Sequence, residues 1–289
     1  MGVVREAPAA HGVPAAHRLT LSAAELAVLV GLGDVRLPPG FAADTALDED
    51  QRWDATATLA RRGVLRRADD VADWTPVPSV AANLDVLVRP QVTIEVAVSV
   101  GDRGARAMYA VRGELGASLF ALADAAAELS MFPAVSLGRE LIRALPPDDQ
   151  LAAGHQRINR VLGTDVAAQP AARSGRLPLA ALSSYRGAGQ HDGVADPALS
   201  GLDAARRELV DRLYRDTIGA MRALVTGATA DGVALGQVIW LATVSGWVGL
   251  SPEPGPAGAP DVVLRSVERT EIGAWVAPYV ARILEGAGR

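Results

Sequence analysis

One pattern appears twice in this chain, and it limits the possible folds more than any other feature. Residues 91–145 read as strand, strand, strand and then a helix that stops at Pro146. Residues 236–285 read as strand, strand, strand and then a closing helix. Strands announce themselves by a period of two and helices by a period near 3.6. The same order met twice therefore predicts two similar sheet-plus-helix units. No set of catalytic groups lies near either block, which points to a surface that grips something.

The clearest strand is residues 91–100. Val92, Ile94, Val96, Val98 and Val100 alternate with Gln91, Thr93, Glu95, Ala97 and Ser99, giving one apolar and one wet face. A turn over Gly101-Asp102-Arg103-Gly104 would pair Val100 with Ala105, Val98 with Ala107 and Val96 with Tyr109. Its other face would pair Ser99 with Arg106 and Ala97 with Met108, so apolar meets apolar and polar meets polar. Leu115 to Ala123 reads as a further strand, followed by a helix capped by Ser136 over Leu137, Leu141, Ile142 and Leu145.

Upstream, Ser22 with Glu25 three residues later forms a capping-box pattern before a helix ended by Gly31 and Gly33. Asp48, Glu49 and Asp50 open a second helix that closes on Arg61, Arg62 and Gly63, matching the helix dipole at both ends. A short third helix is expected from Pro78 to Val88. Downstream, the spacing of Leu209, Leu213, Ile218, Met221 and Leu224 predicts one long helix over Asp203–Leu224. A hairpin about Ser245-Gly246 would face Val244 with Trp247 and Trp240 with Ser251, setting both Trp side chains on one face. Asp261–Val267 reads as a strand. Thr270–Glu285 reads as a helix with Pro278 inside it. The domain reading is a flexible arm (1–18), an N-terminal half (19–164), a mobile linker (165–200) and a C-terminal half (201–289).

Composition removes several chemistries. The chain has 289 residues, no Cys, and 28 basic residues, every one of them Arg. Thiol nucleophiles, disulfides and zinc ribbons need Cys. A Walker-type phosphate loop, a Schiff base or a protein-kinase site needs Lys. The net charge of −5 argues against nucleic acid, which calls for concentrated positive charge. His11, His17, His155 and His191 have no ligand-like spacing. Asp69–Asp70 and Asp148–Asp149 are paired carboxylates in loops or beside prolines, read as solvated turns. The chain is expected to have no metal, no cofactor and no enzymatic activity. The first residues lack the apolar core of a secretory signal, so a cytoplasmic protein is expected. The stretch from Gly232 to Pro252 holds no charge and matches a membrane span in length. Gly, Gln, Thr and Ser interrupt it, so membrane insertion is not expected.

Apolar surface is the remaining candidate. The expected partner-binding residues are Trp240 and Trp247 of the second hairpin, with Thr93, Glu95, Arg106 and Met108 on the wet face of the first. These strands offer an apolar centre ringed by polar groups, as interfaces require. The competing reading makes both Trp residues core.

Several stretches resemble the EspG proteins, cytosolic chaperones of actinobacterial type VII (ESX) secretion. They are Leu19-Thr20-Leu21-Ser22-Ala23-Ala24-Glu25-Leu26, Leu37-Pro38-Pro39 and Leu59-Ala60-Arg61-Arg62-Gly63. A fourth is Leu84-Asp85-Val86-Leu87-Val88-Arg89-Pro90, leading into the strand at Gln91. The resemblance runs through almost the whole chain in order and length. It implies an α+β fold of two pseudo-twofold-related halves sharing a central antiparallel sheet flanked by helices. It also implies binding of the hydrophobic tip of a PPE-like protein within a PE–PPE heterodimer, and delivery of that pair for export. A small-molecule-binding regulator or enzyme using the sheet as a pocket wall is the alternative.

Overall fold

The hydrophobic periods of the chain sort it into strands and helices in the computed structural model, which describes residues 17–33, 35, 37, 41, 47–67, 73–122, 126–147, 149–151, 174–184, 197–255 and 258–287. The order begins β1 (His17–Leu21), α1 (Ala23–Gly33), α2 (Glu49–Arg61), β2 (Leu65–Arg67), β3 (Trp74–Pro76) and α3 (Pro78–Val88). It continues with β4 (Val92–Val100), β5 (Arg103–Arg112), β6 (Leu115–Ala121), β7 (Ala127–Pro133) and α4 (Leu137–Ile142). Then come β8 (Gly175–Pro178), α5 (Leu179–Ser184), α6 (Pro197–Ser200) and α7 (Ala204–Asp216). The last elements are β9 (Thr217–Thr229), β10 (Gly232–Thr243), β11 (Gly246–Pro254), β12 (Pro260–Val267) and α8 (Ile272–Ala287).

Ten strands form one antiparallel sheet in the order β1-β7-β6-β5-β4-β9-β10-β11-β12-β8. Counted outward from the β4–β9 pair, the order is β4-β5-β6-β7 one way and β9-β10-β11-β12 the other. Each run is a meander, and each ends in a 3-10 turn (Ala134–Ser136, Arg269–Glu271) and a helix, α4 or α8. The fold is α+β with the pseudo-twofold repetition expected from the sequence, but the repeat is four strands long rather than three. A trace of it survives in sequence. Gly138 and Gly273 are each the second residue of their helix, and a Cβ on Gly273 would lie 2.9 Å from the Gly138 Cα. Only glycines allow these two helix starts to meet backbone to backbone.

Contacts divide the chain into two compact units, one within Met1–Gln91 and Tyr109–Leu137, the other within Val92–Met108 and Gly138–Arg289. The first unit holds α1–α3 and the outer strands β1, β6 and β7. Its helices start as expected. The Glu25 N–H donates to Ser22 Oγ (3.2 Å) and the Ser22 N–H to Glu25 Oε2 (2.8 Å). Asp48 and Gln51 make the same reciprocal pair at the start of α2. Arg62, just past α2, donates to Glu25 Oε1 and to the Thr20 carbonyl, both at 2.6 Å, and so ties β1, α1 and α2 together. Tyr109 meets Phe120 edge-on with ring centroids 5.6 Å apart, and Leu21, Leu29, Leu59, Leu119 and Phe132 are buried in the same unit.

In the second unit the alternation of β4 holds: Val92, Ile94, Val96, Val98 and Val100 are buried while Glu95, Ala97 and Ser99 are exposed. Its hairpin closes more tightly than the sequence suggests. β5 begins at Arg103, and the turn is reduced to Gly101-Asp102, with Gly101 at φ 59°. The β10–β11 turn likewise slips to Val244-Ser245, pairing Thr243 with Gly246, Ala242 with Trp247 and Trp240 with Gly249. The two Trp residues still share a face.

The long helix expected over Asp203–Leu224 ends at Asp216, and Thr217 starts the central strand β9, paired to β4 on one side and β10 on the other. Ile218, Met221 and Leu224 happen to continue the helical spacing of α7, but pairing along both edges of β9 decides the conformation. β7 was hidden by the helix-favouring run Ala125-Ala126-Ala127-Glu128-Leu129. Two strands claim it, and the Ser118 and Ser130 hydroxyls pair inside at 2.7 Å. Within the expected linker, β8 pairs with β12 and α5 follows it. Helix α6 closes that stretch, while residues 165–173 and 185–196, the arm before His17, and Asp69, Asp70, Asp148, His155 and His191 lie outside the described residues.

Candidate functional site

Directly opposed residues of antiparallel strands point to the same side of a sheet, so the registers assign each residue of the second unit to one of two faces. The first face carries Met221, Ala223 and Val225 of β9, Gly236, Val238, Trp240 and Ala242 of β10, and Trp247 and Gly249 of β11. Helix α8 covers it. A Cβ on Gly236 would overlap the Tyr279 ring, and one on Gly249 would stand 2.5 Å from Trp275. The glycines are the sockets for the aromatic side chains of the helix. Trp240 lies 6.2 Å from Trp247 and meets Trp275 edge-on at 5.7 Å.

This corrects the sequence reading of the two Trp residues. Trp240 is 0% and Trp247 1% exposed, so neither offers surface to a partner. Two apolar strands and an aromatic helix close over them, and burial of so much aromatic area favours that arrangement. Met108, 4% exposed, is core as well, and offers no surface to a partner. The indole N–H groups of Trp240, Trp247 and Trp275 find no acceptor among the described residues. The edge-on Trp240–Trp275 contact is a geometry in which a ring edge meets a π face instead.

Among the described residues, nothing covers the opposite face over β4, β9 and β10. Its rows are Ala97–Arg222–Ile239–Leu250 across β4, β9, β10 and β11, and Glu95–Leu224–Gln237 across β4, β9 and β10. Thr93–Thr226–Leu235 lies on one side of them and Ser99–Ala220–Leu241–Val248 on the other. Glu95, Ala97, Ser99, Arg222, Gln237 and Leu235 are exposed, and Val233, beyond Leu235 on the same side of β10, is 79% exposed. Thr93 is half-buried and Glu95 exposed on this face, whereas Arg106 is exposed on β5. Of the six expected site residues, Thr93, Glu95 and Arg106 are therefore accessible and three are core.

Helices α5 and α7 stand on the β11–β12–β8 end of this face, over a core of Leu177, Ala181, Leu202, Val210, Leu213, Val248, Val262 and Leu264. Between helix and sheet they leave a groove of about 490 Å³. Its helical wall is Leu179, Leu182, Leu213 and Tyr214, and its floor is Thr217, Ala220, Gln237, Ile239, Leu241, Leu250, Pro252 and Val262. None of these twelve residues is charged. The sequence did carry a signal for this floor. The uncharged stretch from Gly232 to Pro252 is apolar on both faces of β10, whereas a strand with one wet face would alternate. Assigning Arg222 and Leu224 to a helix hid the adjoining strand.

The described residues offer little for catalysis. No group of three or more His, Cys, Asp or Glu residues among them could hold a metal. The buried carboxylate Glu25 works structurally. Burial pushes its pKa up, but the Ser22 backbone N–H and the Arg62 guanidinium outweigh this and hold it below the ordinary glutamate value. Among the described residues no helix is long and apolar enough to cross a membrane.

No family model matches the chain, and no curated protein matches it. Solved structures do. The structure of the Mycobacterium tuberculosis type VII secretion system chaperone EspG5 in complex with the PE25–PPE41 dimer aligns over 94% of this chain and 97% of that one, with a TM-score of 0.56 at 14% identity. At that identity the likeness is one of fold, and it is the EspG fold that the sequence resembled. The di-domain ARO/CYC StfQ from the steffimycin biosynthetic pathway covers 95% of each chain at 9% identity, with a TM-score of 0.18. HtdX of Mycobacterium tuberculosis covers 87% of this chain and 100% of its own at 11% identity, with a TM-score of 0.16.

Proposed function

We propose that this protein is a cytoplasmic chaperone of type VII secretion. In this reading it binds the hydrophobic tip of a PPE-like protein within a PE–PPE-like heterodimer, keeps that tip soluble and delivers the pair for export. The observation that carries the reading is the fold shared with EspG5 along 94% of the chain, together with an uncharged groove on a sheet face that is open among the described residues. A chaperone for an apolar tip needs an apolar concavity that stays open in the free protein. It needs neither nucleophile nor metal.

The binding residues we assign are those of the groove, chiefly Leu182, Tyr214, Ile239 and Leu241, with Thr93 and Glu95 on the adjoining strand. Helix-in-groove recognition of this kind draws its affinity from a few buried apolar anchors. Covering a Val or Leu side chain contributes up to about 1.5–3 kcal/mol, so Val233 and Leu235 extend the favourable area if the partner reaches them.

A second reading, a small-molecule site walled by the sheet, has the groove volume in its favour, since ligand pockets span roughly 300–1,000 Å³. Mixing the purified chain with a PE–PPE-like heterodimer from the same genome separates the two. A ternary complex stable through gel filtration is expected. Failure to associate, with a metabolite retained in native mass spectra of the purified chain, would favour the pocket instead.

A further inference from the structure

Arg222 lies in the middle of β9 on the open face, with apolar neighbours on all four sides. Ala97 and Ile239 oppose it on β4 and β10, and Ala220 and Leu224 flank it along its own strand. Two of these, Ala220 and Ile239, belong to the groove floor, so Arg222 lies beside that floor, at its edge. The nearest carboxylate on the face is Glu95, one row away. The two do not pair, and neither makes an ion pair among the described residues. By contrast Arg62, Arg112, Arg143, Arg176 and Arg265 all hold carboxylates within 4 Å.

An exposed guanidinium among apolar side chains costs little while water solvates it. Once a partner covers Ile239 and Leu224, that water leaves, and an unpaired charge under the interface is strongly unfavourable. Whatever fills this groove must therefore bring its own counter-charge to the rim. We propose that the segment seated here has an apolar ridge that fills the groove and a carboxylate that pairs with Arg222. Arg suits this role because its planar fork donates two parallel hydrogen bonds to a carboxylate. Arg222 then sets specificity, because a ridge lacking the carboxylate, or carrying a cation there, leaves the guanidinium uncompensated. The inference rests on the chaperone reading above and adds the chemistry of the partner's tip.

The test is a double-mutant cycle with the PE–PPE-like heterodimer. Arg222→Ala and Arg222→Lys are combined in turn with the amide variant of each carboxylate at the PPE-like tip, and a groove variant, Ile239→Asp, is run alongside. The expected result is a loss of about tenfold or more with Arg222→Ala, partial retention with Arg222→Lys, and one tip carboxylate whose amide variant adds no further loss on the Arg222→Ala background. The salt dependence of binding should flatten in Arg222→Ala. If Arg222→Ala binds as wild type while Ile239→Asp does not, the carboxylate proposal fails and the groove reading stands. If both variants bind as wild type, the groove reading fails as well. Arg222 and Glu95 could instead pair with each other once covered. In that case the swap Arg222→Glu with Glu95→Arg would restore full affinity, and that outcome would overturn the proposal.

Discussion

Strands β9, β10 and β11 have two faces made from the same alternating chain, and the faces have opposite fates. On one, small residues at Gly236, Gly249 and Ala242 leave room for Trp275 and Tyr279 of α8, and Trp240 and Trp247 fill the space between. On the other, Ile239, Leu241, Leu224 and Leu235 stand where glycine would be needed for a helix to come close. Helices α5 and α7 cover only the β11–β12–β8 end of that face. Both faces are apolar, so hydrophobicity does not decide which becomes core and which becomes surface. The sockets do. A helix docks where the sheet is hollowed by glycine, as at Gly236 and Gly249 under α8 and at Gly175 under Leu209 of α7.

The largest expected effect belongs to the closed face. Trp240→Ala should cost about 3–5 kcal/mol of folding stability, read as a fall in the denaturant midpoint, because a fully buried indole leaves a cavity that the sheet cannot collapse into. A loss under about 1 kcal/mol would mean that this face is not the core described here. Gly236→Val asks the same question by overfilling. Its side chain would meet the Tyr279 ring and should cost about 1–3 kcal/mol, with α8 becoming the first element to lose hydrogen-exchange protection.

The sequence revealed the closed face better than the open one, and for a definite reason. The strict alternation of β4, the capping box at Ser22 and the acidic helix start at Asp48 depend on neighbours a few residues away, and all appear where the sequence sets them. The pairing of Trp240 with Trp247 on one face survived a two-residue slip of the register because such a slip preserves parity, and with it the face. β7 and β9 were missed because each depends on strands supplied from elsewhere, and local propensity pointed to helix. Losing β9 concealed the groove, whose rim and part of whose floor it forms. The two Trp residues on one strand face were read as the apolar centre of a binding surface, although the same apolar area equally suits them to the core.

A smaller effect comes from the first unit, which serves as a control outside both faces. Glu25 has its pKa held below the ordinary 4.5 in the folded state, so its stabilising contribution is fully present above that value and is lost as pH falls through the lower folded value. Glu25→Gln should remove this dependence below about pH 4.5 and cost about 1–3 kcal/mol at neutral pH, nearer the low end because Arg62 is 35% exposed. Stability against pH for wild type and variant checks it, and parallel acid limbs would contradict it. The smallest stability effect is expected on the open face. Leu235→Ser, at a side chain 58% exposed, should move stability by no more than about 0.5 kcal/mol.

Ile239 is the place to ask whether the open face is the binding face: it is a groove-floor residue opposed by Arg222 on one side and Leu250 on the other. The direct measurement is the dissociation constant of the PE–PPE-like heterodimer for Ile239→Asp, with the milder Ile239→Ala beside it and the melting temperature of each recorded. A melting temperature within a few degrees of wild type and a loss of affinity of about 30-fold or more, the scale of a binding hot spot, is the predicted result. A folded Ile239→Asp protein that captures the heterodimer at wild-type affinity would contradict it.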